Sequence, residues 1–167
     1  MWIASKTRSF TIQSAIQILQ LSTPMSGVQW EWLWKLRLPY RIQIFLWLLF
    51  HRTLLTSVER FRRRLSTDSQ CEVCLEGEED LDHLLRQCPN ALDVWHVIHS
   101  IGLCGAAADT SLKEWLLANL TDIHVDPNWP TKFAITLWYI WKWRCSMCLG
   151  STELIPMDKG TFLYHKF

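Results

Sequence analysis

The sequence predicts a mainly α-helical fold. Three observations carry that prediction. Apolar residues recur at helical spacing along most of the chain. Thr56 with Glu59, and Ser111 with Glu114, stand three positions apart, the spacing of a capping box at a helix start. Pro39, Pro89, Gly102 and Gly105 fall where such stretches stop. With 167 residues, 49% of them apolar, the chain has material for one packed domain, alone or with a loosely attached arm. Its 11 Trp lie mostly in apolar, helix-like stretches, so the expected core is built around large rings.

Taken in order, residues 2–21 carry Phe10, Ile12, Ala15, Ile16 and Leu19, a pattern for a short strand-like entry and then a helix. Residues 22–27, rich in Ser, Pro and Gly, form a linker. Trp30, Trp32, Leu33, Trp34, Leu36 and Leu38 lead to Pro39, and residues 41–52 read as a mostly buried helix. After the Thr56 cap, at about 100° per residue, Val58, Phe61 and Leu65 share one side of a short helix. Arg60, Arg63 and Arg64 share the other side, with Arg62 at the flank. Asp80 caps a helix holding Leu81, His83, Leu84 and Leu85 that Pro89 should end, and Asn90 with Asp93 opens the next. Ser111 opens onto Trp115, Leu116, Leu117 and Leu120. Residues 131–144 are apolar on nearly every side, so other helices must cover them.

Net charge is +1, but the total conceals a dipole. Lys35, Arg37, Arg41, Arg52, Arg60, Arg62, Arg63 and Arg64 precede a block holding Glu72, Glu76, Glu78, Glu79, Asp80, Asp82 and Asp93. Residues 1–14 lack the apolar run and cleavage site of a secretory signal. The most apolar run, residues 42–50, is about half the length that spans a bilayer. No membrane association is therefore expected. An intracellular setting is expected, the nucleus included. In such a reducing compartment, six Cys point to metal binding more than to disulfides.

Cys71, Cys74, His83 and Cys88 have the spacing C-x2-C-x8-H-x4-C. Two Cys separated by two residues can wrap one cation, because the turn between them lets both sulfurs point inward. Three thiolates and an imidazole complete a tetrahedral shell, at about 2.3 Å for sulfur and about 2.0 Å for nitrogen. Soft sulfur ligands favour zinc over magnesium or calcium. A filled shell leaves no position for water or substrate, so one structural Zn2+ is expected, and no small-molecule substrate. The surrounding acids read as a solvated loop. Cys145 and Cys148 have no nearby His or Cys partner and read as ordinary thiols, as does Cys104.

These residues carry a resemblance. Trp34-Lys35-Leu36-Arg37-Leu38-Pro39, then Phe45-Leu46-Trp47, Cys71-x2-Cys74, His83-Leu84-Leu85, Cys88-Pro89 and Val94-Trp95 resemble, in that order, the zinc-binding domain of plant non-LTR (LINE-type) retrotransposon reverse transcriptases. Residues 10–15 and 137–144 are similar to the segments that flank that domain. Arg8 and Cys145 depart from the family pattern, which has Gly and Asn there, and both lie outside the metal site. The resemblance implies zinc ligands at Cys71, Cys74, His83 and Cys88. It also implies an organisation of N-terminal flank (1–29), zinc-binding domain (30–100), helical extension (101–150) and tail (151–167).

Enzymatic chemistry is not expected. A Tyr/Phe-x-Asp-Asp polymerase motif, a nucleophile elbow and a phosphate loop are all missing, and the His51, His96, His99 and His124 side chains are scattered. The expected function is a nucleic-acid-binding accessory module, with Arg52, Arg60, Arg62, Arg63 and Arg64 meeting the phosphates of RNA or DNA. Beside it stands the plainer reading of those arginines, a solvated face paired with the acidic loop. Two alternatives remain for the whole chain: a structural or protein-interaction zinc module docking through Trp138, Trp141 and Trp143, and a retroelement remnant without a selected role.

Overall fold

The computed structural model describes residues 30–100, 110–121, 126–150 and 155–167. Expectations for Arg8, the strand-like entry and helix of residues 2–21, the linker of 22–27, the stop at Gly102 and Gly105, Cys104 and His124 lie outside those residues. Two compact units divide the chain, Met1–Trp32 and Leu33–Phe167. All four candidate metal ligands belong to the second. The described residues are mainly helical, and their one ladder contact is an isolated antiparallel bridge between Gln70 and Glu78.

Helix α1 (Glu31–Lys35) is a single turn, and α2 (Tyr40–Phe50) follows it directly. Pro39 sits at the N-cap of α2 with φ −54° and ψ 138°, so one residue both closes the first segment and opens the second. Ile42, Phe45, Leu46 and Leu49 form the buried face of α2. Gln43, the polar interruption in that run, is buried as well. Its amide donates to the carbonyls of Leu36 (2.9 Å) and Trp34 (3.3 Å), which the short α1 leaves open.

Helix α3 (Ser57–Arg62) starts at Thr56, whose hydroxyl accepts from the Glu59 amide at 3.3 Å. Only half of the capping box forms, because the Glu59 carboxylate turns outward to Arg62 and Arg63. A π-helical segment, His83–Gln87, then leads into α4 (Pro89–Ser100). The helical segment holding Leu81, His83, Leu84 and Leu85 stops at Gln87, just before Pro89 as expected, and Pro89 also begins the next helix. Its missing N–H costs nothing in the first turn, where the Cys88 carbonyl already accepts from Ala91 (2.8 Å) and Leu92 (2.9 Å).

Helix α5 (Leu112–Thr121) carries a complete capping box. The Ser111 hydroxyl accepts from the Glu114 amide at 3.3 Å, and the Glu114 carboxylate accepts from the Ser111 amide at 3.0 Å. Helix α6 (Trp129–Leu149) is the central strut and packs against α2, the π segment, α4 and α5. Its uniform apolarity reflects those partners. Gly150 ends it in the left-handed conformation, φ 62°. Helix α7 (Lys159–Tyr164) closes on α4. A Cβ at Gly160 would stand 2.1 Å from the Val97 side chain, so that contact requires glycine.

The rings form the core that composition predicts. Phe133, wholly inaccessible, lies 4.9 Å from Trp115, 5.4 Å from Trp95 and 5.7 Å from Trp129 between ring centres. Trp95 donates to the Leu85 carbonyl at 2.7 Å and Trp129 to the Asn119 side chain at 3.0 Å, so both indoles satisfy their N–H while buried. Trp138 meets Phe45 edge to face, and Trp143 packs with Tyr139 and Phe162. Of the three Trp residues expected as a docking patch, Trp138 and Trp143 are thus engaged with other rings, Trp141 lies under the Arg144 guanidinium at 5.4 Å, and Trp143 is buried. Among the described residues no helix is long and apolar enough to cross a membrane.

Candidate metal centre

The bridge between Gln70 and Glu78 pinches off a loop with Cys71 and Cys74 inside it. The Cys71 amide donates to the Gly77 carbonyl (3.0 Å) and the Leu75 amide to the Cys71 carbonyl (2.9 Å). Leu75 (φ 60°) and Gly77 (φ 68°) take left-handed conformations, which let the chain reverse tightly enough for both sulfurs to face inward. His83 and Cys88 arrive from the π segment. The Cys88 amide donates to the His83 carbonyl at 2.7 Å, an i to i−5 bond, so the two ligand candidates stand one wide turn apart. Asp80 fixes the start of that segment by accepting from the His83 amide at 2.8 Å.

The four donor atoms of Cys71, Cys74, His83 and Cys88 all lie within 4.8 Å of one another. The Cys74 sulfur is 3.3 Å from His83 Nε2. A tetrahedral zinc shell with the bond lengths above places neighbouring ligand atoms about 3.5–3.8 Å apart. The geometry and the soft donor set are therefore compatible with one zinc site. Burial pushes the Cys71 thiol up to about 12 and raises the Cys88 thiol too. A divalent cation reverses that preference by favouring the thiolates.

The acidic block is not uniformly solvated, and here the expectation is corrected. Glu72, Glu76, Glu78 and Asp80 are exposed, but Glu79 is 0% accessible. Its Oε1 accepts from the Ser57 amide (2.8 Å) and from Arg144 Nη2 (2.5 Å), and its Oε2 from Arg144 Nε (3.0 Å). The Cys71 sulfur lies 3.7 Å from Oε2. A cation with three thiolates carries about −1, and the Glu79 carboxylate adds to it. Arg144, itself 4% exposed, supplies the compensating charge from α6. The signal for this pair was an arginine inside an otherwise apolar helix, since such a charge needs a carboxylate. Seven acids between Glu72 and Asp93 hid which carboxylate it was.

The predicted arginines divide into two sets. Arg60 pairs with Glu72 of the metal loop at 2.8 Å, so the plainer reading holds at that residue. Arg62 and Arg63 both pair with Glu59, at 2.6 and 2.5 Å, and hold its carboxyl down to about 2. The side chains of Arg52 and Arg64 are exposed and meet no partner among the described residues. Phe61 and Leu65, expected in the core, are 51% and 61% exposed. The helix is too short and too near the surface to bury them, and the chain reverses right after it. Cys145 and Cys148 stay outside the four-ligand cluster, as does His51, which contacts the Trp47 carbonyl at 2.7 Å. Burial pushes the Cys148 thiol up to about 11.

Residues 10–95 match the protein family described as zinc-binding in reverse transcriptase. An Arabidopsis thaliana protein provisionally named a ribonuclease H protein is 36% identical over 154 residues. That alignment covers 89% of this chain and 25% of the relative, so the chain spans about a quarter of that protein's length. No solved structure matches. The matched segment holds the whole Cys3His cluster, and on that basis the chain belongs to the reverse-transcriptase zinc-binding family.

Proposed function

We propose that Cys71, Cys74, His83 and Cys88 bind one structural zinc ion in a non-catalytic module that serves a reverse transcriptase as a nucleic-acid-binding accessory. The convergence of three sulfurs and an imidazole nitrogen within 4.8 Å carries the zinc assignment. A closed four-ligand shell has no open position, so the cation organises the chain instead of activating water. The nucleic-acid role is supported by the guanidinium groups of Arg62, Arg63 and Arg64, which all project from the end of α3 into solvent. Phosphate binding needs such exposed, forked cations, and a zinc-anchored loop beside them fixes their register.

Metal analysis of the purified chain is expected to return one zinc per molecule, and Cys74→Ser to lose it. Binding to a mixed set of RNA and DNA oligonucleotides at about 50 mM salt is expected to weaken steeply as salt rises. Joint replacement Arg63→Ala with Arg64→Ala is expected to weaken it further. Retention of zinc by Cys74→Ser rejects the ligand set, and lack of any binding at low salt rejects the nucleic-acid role.

A further inference from the structure

The α3 terminus has a feature that a plain arginine face does not explain. The Arg64 amide donates to the Phe61 carbonyl (2.9 Å) and the Leu65 amide to the Arg60 carbonyl (2.8 Å), the paired bonds of a Schellman turn. Arg64 fills the left-handed position of that turn with φ 59°. Glycine is the residue this position favours, and a side chain there costs on the order of 1 kcal/mol. The turn at the end of α2 is built alike, with Arg52 at φ 54°, its amide on Leu49 (3.0 Å) and the Thr53 amide on Leu48 (3.1 Å). Arg52, however, opens on a groove shared with Glu59, Asp80 and Asp82, where acids oppose a phosphate. At the end of α3 one acid remains, Glu59, which two guanidinium groups, Arg62 and Arg63, outnumber, and Arg64 faces solvent. Phe61 is half exposed and stacks on no ring among the described residues, Leu65 follows it, and Arg62, Arg63 and Arg64 surround them.

Building on the accessory role above, we propose that this surface holds an unpaired polynucleotide strand, with a base stacked on Phe61 and the flanking phosphates on Arg62, Arg63 and Arg64. Charge complementarity selects a polyanion, and the free aromatic face selects one whose bases are not already stacked in a duplex. A neutral or basic protein surface offers nothing to the three guanidinium groups. Nothing in the surface reads a ribose hydroxyl, so RNA and DNA strands of one sequence bind alike.

The test compares the zinc-loaded full chain with its Phe61→Ala, Phe61→Trp and Arg64→Gly variants, on single-stranded oligonucleotides of both sugars and on a duplex of the same sequence. Phe61→Ala is expected to weaken single-strand binding about 5- to 100-fold and to leave duplex binding within about twofold, while Phe61→Trp restores it. Arg64→Gly is expected to weaken binding without lowering thermal stability, because glycine suits the turn. Zinc content and melting temperature verify that each variant folds. Unchanged single-strand affinity in Phe61→Ala, alongside loss in Arg63→Ala with Arg64→Ala, overturns the stacking surface and leaves the phosphate reading standing. Equal loss on duplex and single strand, or a preference of more than about tenfold between the sugars, also overturns it. Wild-type chain that binds no polynucleotide at all overturns both readings.

Discussion

Glu79 and Arg144, 65 positions apart in the chain, meet through two hydrogen bonds in a place that water does not reach. The contact joins the metal loop to the central helix α6 next to Cys71. Removing one member leaves the other charge buried and alone, which costs about 3–5 kcal/mol. Arg144→Met is therefore expected to destabilise the chain by that amount in chemical denaturation. Glu79→Gln combined with Arg144→Met is expected to recover part of the loss, since the uncompensated carboxylate is gone. If the double variant is no more stable than Arg144→Met, the pair is not the reason for the loss.

What the sequence made legible, and what it did not, follows the range of the forces involved. Helix starts are local, and the Ser111 box and the Asp80 cap lie where the spacing places them. The four metal-ligand candidates are legible for a similar reason, because a tetrahedral shell constrains spacing tightly. Glu79–Arg144 was legible only at one end: Arg144 in an apolar helix called for a carboxylate, but a tertiary pairing leaves no local trace of which one. The π segment was hidden too: nothing in His83-Leu84-Leu85-Arg86-Gln87 distinguishes an i to i−5 bond from an ordinary turn until Cys88 must face the same cation as His83. Periodicity failed at Phe61 and Leu65 because it assigns a face to a helix without asking whether anything lies against that face.

The complete box at Ser111 and the half box at Thr56 make different predictions. Ser111→Ala removes the acceptor for the Glu114 amide and should cost about 1 kcal/mol. Glu114→Gln should cost less, since an amide oxygen still accepts from the Ser111 amide. At α3 the order is the same, for a different reason. Thr56→Ala removes the only side-chain cap, whereas Glu59→Gln leaves the cap intact, because that carboxylate bonds to arginines and not to the Thr56 amide. Thermal melts of the four variants check both orders.

Glu59 restrains two of the three arginines assigned to phosphate. Arg62 and Arg63 hold its carboxyl at about 2, so it stays ionised through any mildly acidic buffer. Its folded value lies below the ordinary carboxylate value. Its contribution to stability is therefore present above about 4.3 and fades as pH falls through about 2. Acid is thus a poor way to free the arginines, and substitution is a good one. Glu59→Gln is expected to raise affinity for an unpaired strand and to steepen its salt dependence by about one charge. Affinity and slope equal to those of the parent chain would mean that Arg62 and Arg63 do not reach phosphate.

Zinc removal gives the widest-ranging prediction. The loop is closed by an isolated bridge and pinned at Glu79, and its turns at Leu75 and Gly77 are left-handed, so a shared cation is expected to supply much of what holds Cys71 and Cys74 in place. Chelation, or His83→Ala, is expected to release residues 70–88 to proteolysis, because metal-binding energy is folding energy in such loops. Glu79 leaves with the loop, so Arg144 loses its partner and α6 loses one of its covers. The ring cluster of Trp95, Trp115, Trp129 and Phe133 is held by its own ring contacts and is expected to keep part of its packing. Chelated protein should then show early cleavage between Gln70 and Cys88 while tryptophan fluorescence remains blue-shifted. Cleavage spread evenly along the chain would mean that the metal loop and the aromatic core fold as one unit.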